Sequence, residues 1–320
     1  MIETRFTELL QATAPVQLAA MPGISTPELV SAVAAAGGVG MLPTPMMSPG
    51  ALEQVLDGLV EANPGAFGVN FLVPFLDRES LTVAAGKSKL VEFFYGEPDP
   101  ELVLHAHSLG ALVSWQVGSL AEAVAGERAG CDILVVQGTE AGGHVRGRTS
   151  LLPLLSQVLD AVRVPVVAAG GIATARDLAA VLACGASAAR VGTRFVAAAE
   201  SGAHPAYVKA LLEASAADTC LTEAFSVMWP DAPHRVLRSA VTAAEALGEE
   251  VVGEARLGDQ TIPVQRFSVI CPTADTEGHI EAMALYAGES VDNVRRVQPA
   301  AAIVSELVSG AGSALDRAAV

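Results

Sequence analysis

The most distinctive chemical segment of the chain is Gln137–His144 (QGTEAGGH), in which two glycines stand directly before a single histidine. Paired glycines keep the backbone slim enough for a planar ring to lie against it, with the imidazole presented over that ring. Histidine has an unperturbed pKa of about 6.5, which suits proton transfer near neutral pH. Gln137 can offer both a donor and an acceptor to the edge of such a ring. We therefore predict that His144 is a catalytic base.

Two glycine-containing segments further along the chain predict a phosphate site. They are Ala169-Gly170-Gly171 within AAGGIAT and Gly192-Thr193 within VGT. Glycines let backbone N–H groups approach phosphate oxygens closely, and the start of a short helix adds a partial positive charge. The pattern is typical of barrels that bind phosphate, including phosphosugar enzymes. It therefore predicts a bound phosphate group but not which ligand carries that group.

The elements that would position these residues are eight short apolar runs that alternate with amphipathic helical patterns. Capping residues mark three helix starts, at Thr26, Ser48 and Thr174, and Gly37 and Gly185 mark two helix ends. This alternation predicts an α/β fold, a closed (β/α)8 TIM barrel with an extension after strand 8, with an open doubly wound sheet as the alternative. The eight predicted strands are residues 16–20, 38–43, 67–73, 92–96, 111–117, 132–138, 164–171 and 188–195.

The pattern changes after the eighth predicted strand. Residues 1–216 are predicted to form the barrel, with 205–216 as the helix that follows the last strand. Residues 217–280 are more polar and irregular, which indicates a cap or side extension, and residues 281–320 are predicted to return as C-terminal helices packed on the barrel. The active site of such a barrel lies at the C-terminal ends of its strands. Met21, Asn70 and Gln116 fall on that rim, beside the histidine and glycine segments.

Composition excludes several classes of function. The chain has 19 basic and 35 acidic side chains and a formal charge of −16, which disfavours nucleic acid and anionic membranes as partners. The four cysteines form no CxxC pair, so no metal site is predicted, and Cys131 and Cys184 are expected to be buried thiols. The N-terminus has no signal-peptide pattern and no apolar run has membrane-spanning length, which predicts a cytoplasmic protein.

The segments QGTEAGGHVRG, AAGGIATARDLAAVLACGASAARVGTRF and MPGISTPELVSAVAAAGGVGML resemble the FMN-dependent nitronate monooxygenase (2-nitropropane dioxygenase) family. In the wider family position 116 is sometimes lysine, and the family leads us to expect glutamine at position 289, where this chain has Glu289. The resemblance implies that His144 is the base. It implies FMN contacts at Met21, Asn70, Gln116, Gln137, Gly143, Ala169, Gly170, Gly171, Gly192 and Thr193.

The resemblance also implies an activity, namely oxidation of alkyl nitronates, and of nitroalkanes, by O2 to a carbonyl compound and nitrite. The implied partners are these small molecules, with a homodimer as an option for assembly. The nearest alternative is an FMN-dependent NAD(P)H oxidoreductase, either an enoyl-acyl-carrier-protein reductase or an NADH:quinone reductase. Gln137 favours the monooxygenase, because we expect an acidic residue at that position in those reductases. A phosphosugar lyase or isomerase and a non-catalytic flavoprotein are further alternatives.

Overall fold

The computed structural model describes residues 2–45, 47–257 and 260–318. Eight parallel strands form one sheet, in the order β1-β9-β8-β6-β5-β4-β3-β2. Gln17 of the first strand pairs in parallel with Val39, next to the second strand, and this closes the ring. The predicted (β/α)8 barrel is confirmed. Its strands are β1 (Val16–Leu18), β2 (Gly40–Pro43), β3 (Phe67–Leu72), β4 (Leu90–Phe94), β5 (Leu112–Val117), β6 (Ile133–Gln137), β8 (Val166–Ala169) and β9 (Ala188–Val191).

The helices around the barrel begin where the sequence places capping side chains. The hydroxyls of Thr26 and Ser48 accept hydrogen bonds from the backbone N–H groups of Leu29 and Ala51, ahead of prolines that open each helix. The helices are α1 (Arg5–Leu10), α2 (Pro27–Ala35), α3 (Pro49–Ala62), α4 (Arg78–Lys87), α5 (Pro100–Ser108), α6 (Leu120–Ala129), α7 (Leu151–Ala161), α8 (Ala175–Ala183), α9 (Thr193–Val196), α10 (Pro205–Glu213), α11 (Arg238–Ala246) and α12 (Ala300–Ala318).

The helix that completes the outer ring is α12 and not α10. A helix does form within the predicted 205–216 segment, but its apolar residues Tyr207 and Leu211 pack with Phe225 and Val236 in a second apolar cluster. Helix α12 lies against α8 and α2, and its apolar face belongs to the main core around the barrel. A long excursion of the chain, residues 192–299, therefore separates the last barrel strand from the helix that covers it.

That excursion carries two small antiparallel sheets. One joins β10 (Thr219–Thr222) and β11 (His234–Leu237) to β7 (Gly143–His144), which leaves the barrel after β6. The other contains β12 (Val251–Leu257), β13 (Gln260–Gln265) and β14 (Glu277–Gly278). The predicted division at residues 216 and 280 stays a proposal, since α10 already packs with later parts of the excursion.

The prediction that Cys131 and Cys184 are both buried is correct for only one of them. Cys131 is buried as expected, whereas Cys184 is exposed, because it stands at the C-terminal cap of α8 where the helix meets solvent. All four cysteines are free. Within the part of the chain that the structure describes, no helix is long and apolar enough to cross a membrane, and no cluster of three or more His, Cys, Asp or Glu residues could hold a metal ion.

Candidate active site

One cavity of about 460 Å³ opens at the C-terminal ends of the barrel strands and extends under the excursion. Residues from the barrel rim form its floor, and residues from the excursion form much of its wall. Every residue that the sequence analysis selected for the site lines this cavity: Met21, Asn70, Gln116, Gln137, Gly143, His144, Ala169, Gly170, Gly171, Gly192 and Thr193. Strand ends that are distant in sequence thus meet in one place, as the closed barrel requires.

The glycine pair after β8 forms a cradle that a side chain would fill. Gly170 and Gly171 have φ values of 106° and 70°, which glycine adopts without strain. A Cβ atom on Gly170 would lie 3.0 Å from the backbone nitrogen of Ala141, and one on Gly171 would lie 3.3 Å from Cβ of Glu140. Gly192 and Thr193 stand beside the pair at the end of β9, where α9 begins. The corner therefore fits a group that binds close to the backbone, as a phosphate does.

The GGH segment is held by the chain itself. Gln137 donates from Nε2 to the backbone oxygen of His144 (2.9 Å), and its Oε1 accepts from the backbone nitrogen of Arg146 (3.4 Å). A carboxylate at position 137 could accept but not donate, so the amide suits both contacts. A Cβ atom on Gly142 would lie 2.5 Å from the nitrogen of Gly288, so this glycine permits a close approach of two backbones.

His144 stands in an aromatic wall. Its ring stacks on Trp229, with centroids 4.1 Å apart and planes 26° apart. The rings of His234, Tyr286 and Tyr95 lie 5.4, 5.7 and 6.0 Å from it. Burial in this wall, and next the repulsion from His234, lower the pKa of His144 to about 3. The imidazole is therefore neutral at physiological pH.

The Nε2 atom of His144 is buried and has no hydrogen-bond partner among the residues that the structure describes. Buried polar atoms are normally paired, so an unpaired ring nitrogen at a cavity indicates a place for a ligand atom. The neighbouring His234 differs, because its Nδ1 contacts the oxygen of Ala232 (2.9 Å) and its Nε2 accepts from the nitrogen of Phe225 (3.2 Å). Of these two histidines, only His144 has a buried ring nitrogen without a partner among the described residues.

The floor of the cavity contains a buried ion pair that the sequence analysis missed. Glu92 is fully buried in the middle of β4, and its Oε2 pairs with the guanidinium of Arg190 on β9. Oε1 of Glu92 accepts from Asn70 (2.8 Å), and Arg190 donates from Nη1 to Oε1 of Gln116 (2.6 Å). A signal was present, because a charged residue inside an apolar strand is unusual. The predicted fourth strand began at residue 92, which made Glu92 look like a strand end.

The chain is similar to known proteins over most of its length. The family model described as nitronate monooxygenase matches residues 3–82 and 76–310 of the chain. The chain belongs to the nitronate monooxygenase family. A probable nitronate monooxygenase of Staphylococcus saprophyticus is 28% identical over 99% of each chain. Another, of Bacillus subtilis, is 31% identical over 69% of this chain and 76% of the relative.

Two solved structures share the whole fold with this member of the nitronate monooxygenase family. FabK from Thermotoga maritima aligns with a TM-score of 0.81 and 27% identity over 99% of each chain. Nitroalkane oxidase from Streptomyces ansochromogenes aligns with a TM-score of 0.78 and 29% identity, over 98% of this chain and 99% of that one. The family and these neighbours identify the chain as an enzyme, a flavin-dependent oxidoreductase.

Glu140, and Glu289 at the position where we expected glutamine, both have structural partners in this family member. Both carboxylate oxygens of Glu140 accept from the backbone nitrogen of Leu151 at 3.0 Å, so Glu140 caps the start of α7. Glu289 pairs with Arg235, which is 2.9 Å away, and Arg235 also donates to the oxygen of Thr139. These contacts fix the segment that leads to His144.

Cys271 also lines the cavity, and the sequence analysis did not select it. Its Sγ donates to the oxygen of Pro22 at 3.2 Å, and burial raises the pKa of the thiol to about 12. The thiol therefore stays protonated and has little nucleophilic character.

Proposed function

We propose that the protein is an FMN-dependent monooxygenase that uses O2 to convert alkyl nitronates to carbonyl compounds and nitrite. The observation that carries this proposal is the neutral imidazole of His144, with an unpaired Nε2, in the aromatic wall of the cavity. Membership of the nitronate monooxygenase family supports the reaction class.

FMN is the proposed cofactor because the cavity offers one phosphate-sized corner. Gly170, Gly171, Gly192 and Thr193 would hold that phosphate, while Asn70 and Gln116 on the floor would meet the edge of the ring. The sequence has no GxGxxG segment after its first strand, which a dinucleotide site would favour. When bound, FMN supplies the redox chemistry, accepting electrons from the substrate and passing them to O2.

The pKa of His144 bears on which substrate is turned over. A base with a pKa near 3 holds a proton poorly, so the removal of an α-proton from a neutral nitroalkane is difficult in this wall. A nitronate has already lost that proton. An anion beside the imidazole also favours its protonated form, so a bound nitronate would itself allow His144 to hold a proton against it. His144 remains the proposed base for nitroalkanes, which we expect to be poorer substrates.

The outer part of the cavity favours an alkyl group on the substrate. Phe75 comes from the segment after β3, and Met228, Trp229, Ile262 and Ile270 come from the excursion. Apolar carbon buried there gains about 0.8 kcal/mol per CH2 group. The small-molecule partners, a cytoplasmic location and a homodimer also stay proposals.

The test is oxygen uptake with one nitroalkane and its own nitronate, measured for the parent enzyme and for His144→Ala. We expect kcat/KM of the parent to be at least about 10²-fold higher for the nitronate. His144→Ala should lower the rate with the nitroalkane by roughly another 10²-fold, because it removes the only proposed base. The rate with the nitronate should fall by about tenfold or less, because no proton has to be removed.

His105→Ala is the matched control, since His105 contacts Thr82 on the outside of the barrel and does not line the cavity. Equal losses on both substrates in His144→Ala would mean that the imidazole positions the ligand and is not a base. Faster oxidation of NADH than of any nitronate would overturn the monooxygenase and favour the NAD(P)H oxidoreductase.

A further inference from the structure

The barrel interior carries a cluster of polar residues at the floor of the cavity. In the sheet register, Asn70 on β3 stands opposite Glu92 on β4, and Glu92 stands opposite Ser114 on β5. Gln17 on β1 likewise stands opposite Arg190 on β9. Register partners on neighbouring parallel strands project to the same face of the sheet, so these side chains share the barrel interior. The two charges therefore meet inside the barrel, and not by a chance approach of flexible side chains.

This buried ion pair needs an explanation other than stability. A buried ion pair is often no more stabilising than well-packed apolar residues of the same size, because both charges lose their hydration. Glu92 has no exposed surface and Arg190 is only 6% exposed. Arg190 lines the cavity, whereas Glu92 lies behind it. A role in the binding site accounts for charges that the barrel itself does not require.

The pair determines which atoms two amides present to the cavity. A guanidinium can only donate, so Gln116 must turn its oxygen to Arg190, and its NH2 group is left for a ligand. A carboxylate paired with arginine can only accept, so Asn70 must turn its NH2 group to Glu92, and its oxygen is left for a ligand. The floor thus offers a donor from Gln116 and an acceptor from Asn70.

Arg190 keeps donor capacity of its own. It has five N–H groups, and four contacts to Gln17, Glu92 and Gln116 are formed. Three of these contacts come from Nε and Nη2, so one N–H of Nη1 has no partner among the residues that the structure describes. A guanidinium cannot be deprotonated in a protein, so its positive charge is permanent.

We propose that Glu92 and Arg190 are positioning residues, which set the donor of Gln116 and the acceptor of Asn70 against the imide edge of a bound flavin and favour its reduced, more negative form. The edge of the flavin ring has an N–H group between two carbonyl oxygens, which matches an acceptor beside a donor. This role rests on the flavin binding proposed above. It concerns the affinity and potential of the cofactor, and not the substrate.

The test compares a neutral network with a charged one. Glu92→Gln together with Arg190→Gln removes both charges at once, so neither is left buried and unpaired. We expect this double variant to bind oxidised FMN about tenfold more weakly, because the amides lose their fixed orientation. Its affinity for reduced FMN should fall by a further tenfold, which for a two-electron couple lowers the reduction potential by about 30 mV.

A second variant separates orientation from charge. Arg190→Lys keeps the positive charge but loses the planar fork, so it should weaken binding of oxidised FMN while the potential stays near that of the parent. Ser114→Ala is the matched control. Ser114 donates to Glu92 at 3.2 Å within the same polar cluster but does not line the cavity. It should leave both the affinity and the potential unchanged.

The measurements are flavin fluorescence titration of the apoprotein and spectroelectrochemical titration, both without substrate. Parent-like affinity in Arg190→Lys, or parent-like affinity and potential in the double variant, would overturn the positioning role. A double variant that does not fold leaves Arg190→Lys to decide. A parent protein that binds FMN but does not oxidise nitronates would refute the proposed reaction and not this role, whereas a parent that binds no FMN would refute both.

Discussion

The floor and the wall of the cavity treat ionisable side chains in opposite ways. The floor, formed by barrel strands, contains a buried ion pair whose carboxylate and guanidinium have several hydrogen-bond partners. The wall around His144 is formed by the GGH segment and the excursion, and it surrounds the imidazole with aromatic rings. On the floor, two opposite charges persist and balance each other. In the wall, burial keeps the imidazole of His144 uncharged.

The difference follows from how each side is built. Strands of a closed barrel hold side chains at fixed levels, so a buried charge can meet its partner with little loss of conformational freedom. The wall joins segments that are far apart in sequence, such as β7 and β11, and aromatic packing holds them together. We infer that the floor orients the cofactor, while the wall receives the substrate and controls its proton.

Among substitutions that test this division, one in the phosphate corner, which borders both sides, should have the largest effect. In Gly171→Val a branched side chain would have to adopt a φ of 70°, with its Cβ only 3.3 Å from Cβ of Glu140. Such backbone strain costs about 1–3 kcal/mol, and the side chain would also occupy the space proposed for phosphate. We expect FMN affinity to fall by about 10- to 100-fold in a fluorescence titration.

Gly185→Val separates strain from the site. Gly185 has a φ of 109° at the end of α8, so the substitution strains the backbone in a similar way but outside the cavity. It should lower the melting temperature without weakening FMN binding. If the two variants retain FMN equally well, the phosphate site has been assigned to the wrong corner.

The sequence predicted His144 and the polar residues of the barrel rim, but neither the Glu92–Arg190 pair nor the rings around His144, for physical reasons. Asn70 and Gln116 could be found because strand patterns are local and the rim of a barrel follows from counting strands. Trp229, His234 and Tyr286 come from the excursion and its return, and their contacts with His144 depend on pairing between distant segments. No periodicity within residues 217–280 indicates that partnership.

The suppressed charge of His144 predicts how stability depends on pH. Its pKa is about 3 in the folded protein, and burial also lowers the pKa of His234. In the unfolded chain both should titrate near 6.5. Between pH 6.5 and the folded pKa the unfolded state binds protons that the native state does not, so stability falls as the pH is lowered. At pH 7 and above both histidines are largely neutral in the folded and the unfolded state, so this loss is absent.

From pH 7.5 to 5.5 the loss assigned to His144 should be about 1.4 kcal/mol in the free energy of unfolding, since one pKa unit corresponds to about that energy. Urea unfolding of the parent and of His144→Phe at both pH values measures it as a difference, in which the contributions of carboxylates cancel. An identical pH dependence in His144→Phe would show that the imidazole is not held neutral.

The smallest expected effect concerns the ring that stacks on the imidazole. Trp229 is 9% exposed and also contacts Phe75 and Tyr95 edge to face, with centroids 5.1 and 4.7 Å away. Trp229→Leu removes the stack and opens the wall to water, which should bring the pKa of His144 closer to its usual range. An aromatic contact is worth about 0.5–1.5 kcal/mol, so we expect KM for a nitronate to rise roughly two- to tenfold, with kcat changed less.

Trp115→Phe is the matched control for that substitution. Trp115 is fully buried in the barrel core, where its Nε1 donates to the oxygen of Gly96 at 3.0 Å, and it does not line the cavity. It should lower stability while KM and the pKa of His144 stay unchanged. NMR titration of the His144 ring and steady-state kinetics at several pH values give the two readouts together.

If Trp229→Leu raises KM but leaves the pKa of His144 near 3, Trp229 holds the alkyl group and the remaining rings are sufficient to keep the imidazole neutral. If the pKa rises while KM does not, the wall acts on the proton alone, and the alkyl group must bind elsewhere in the cavity.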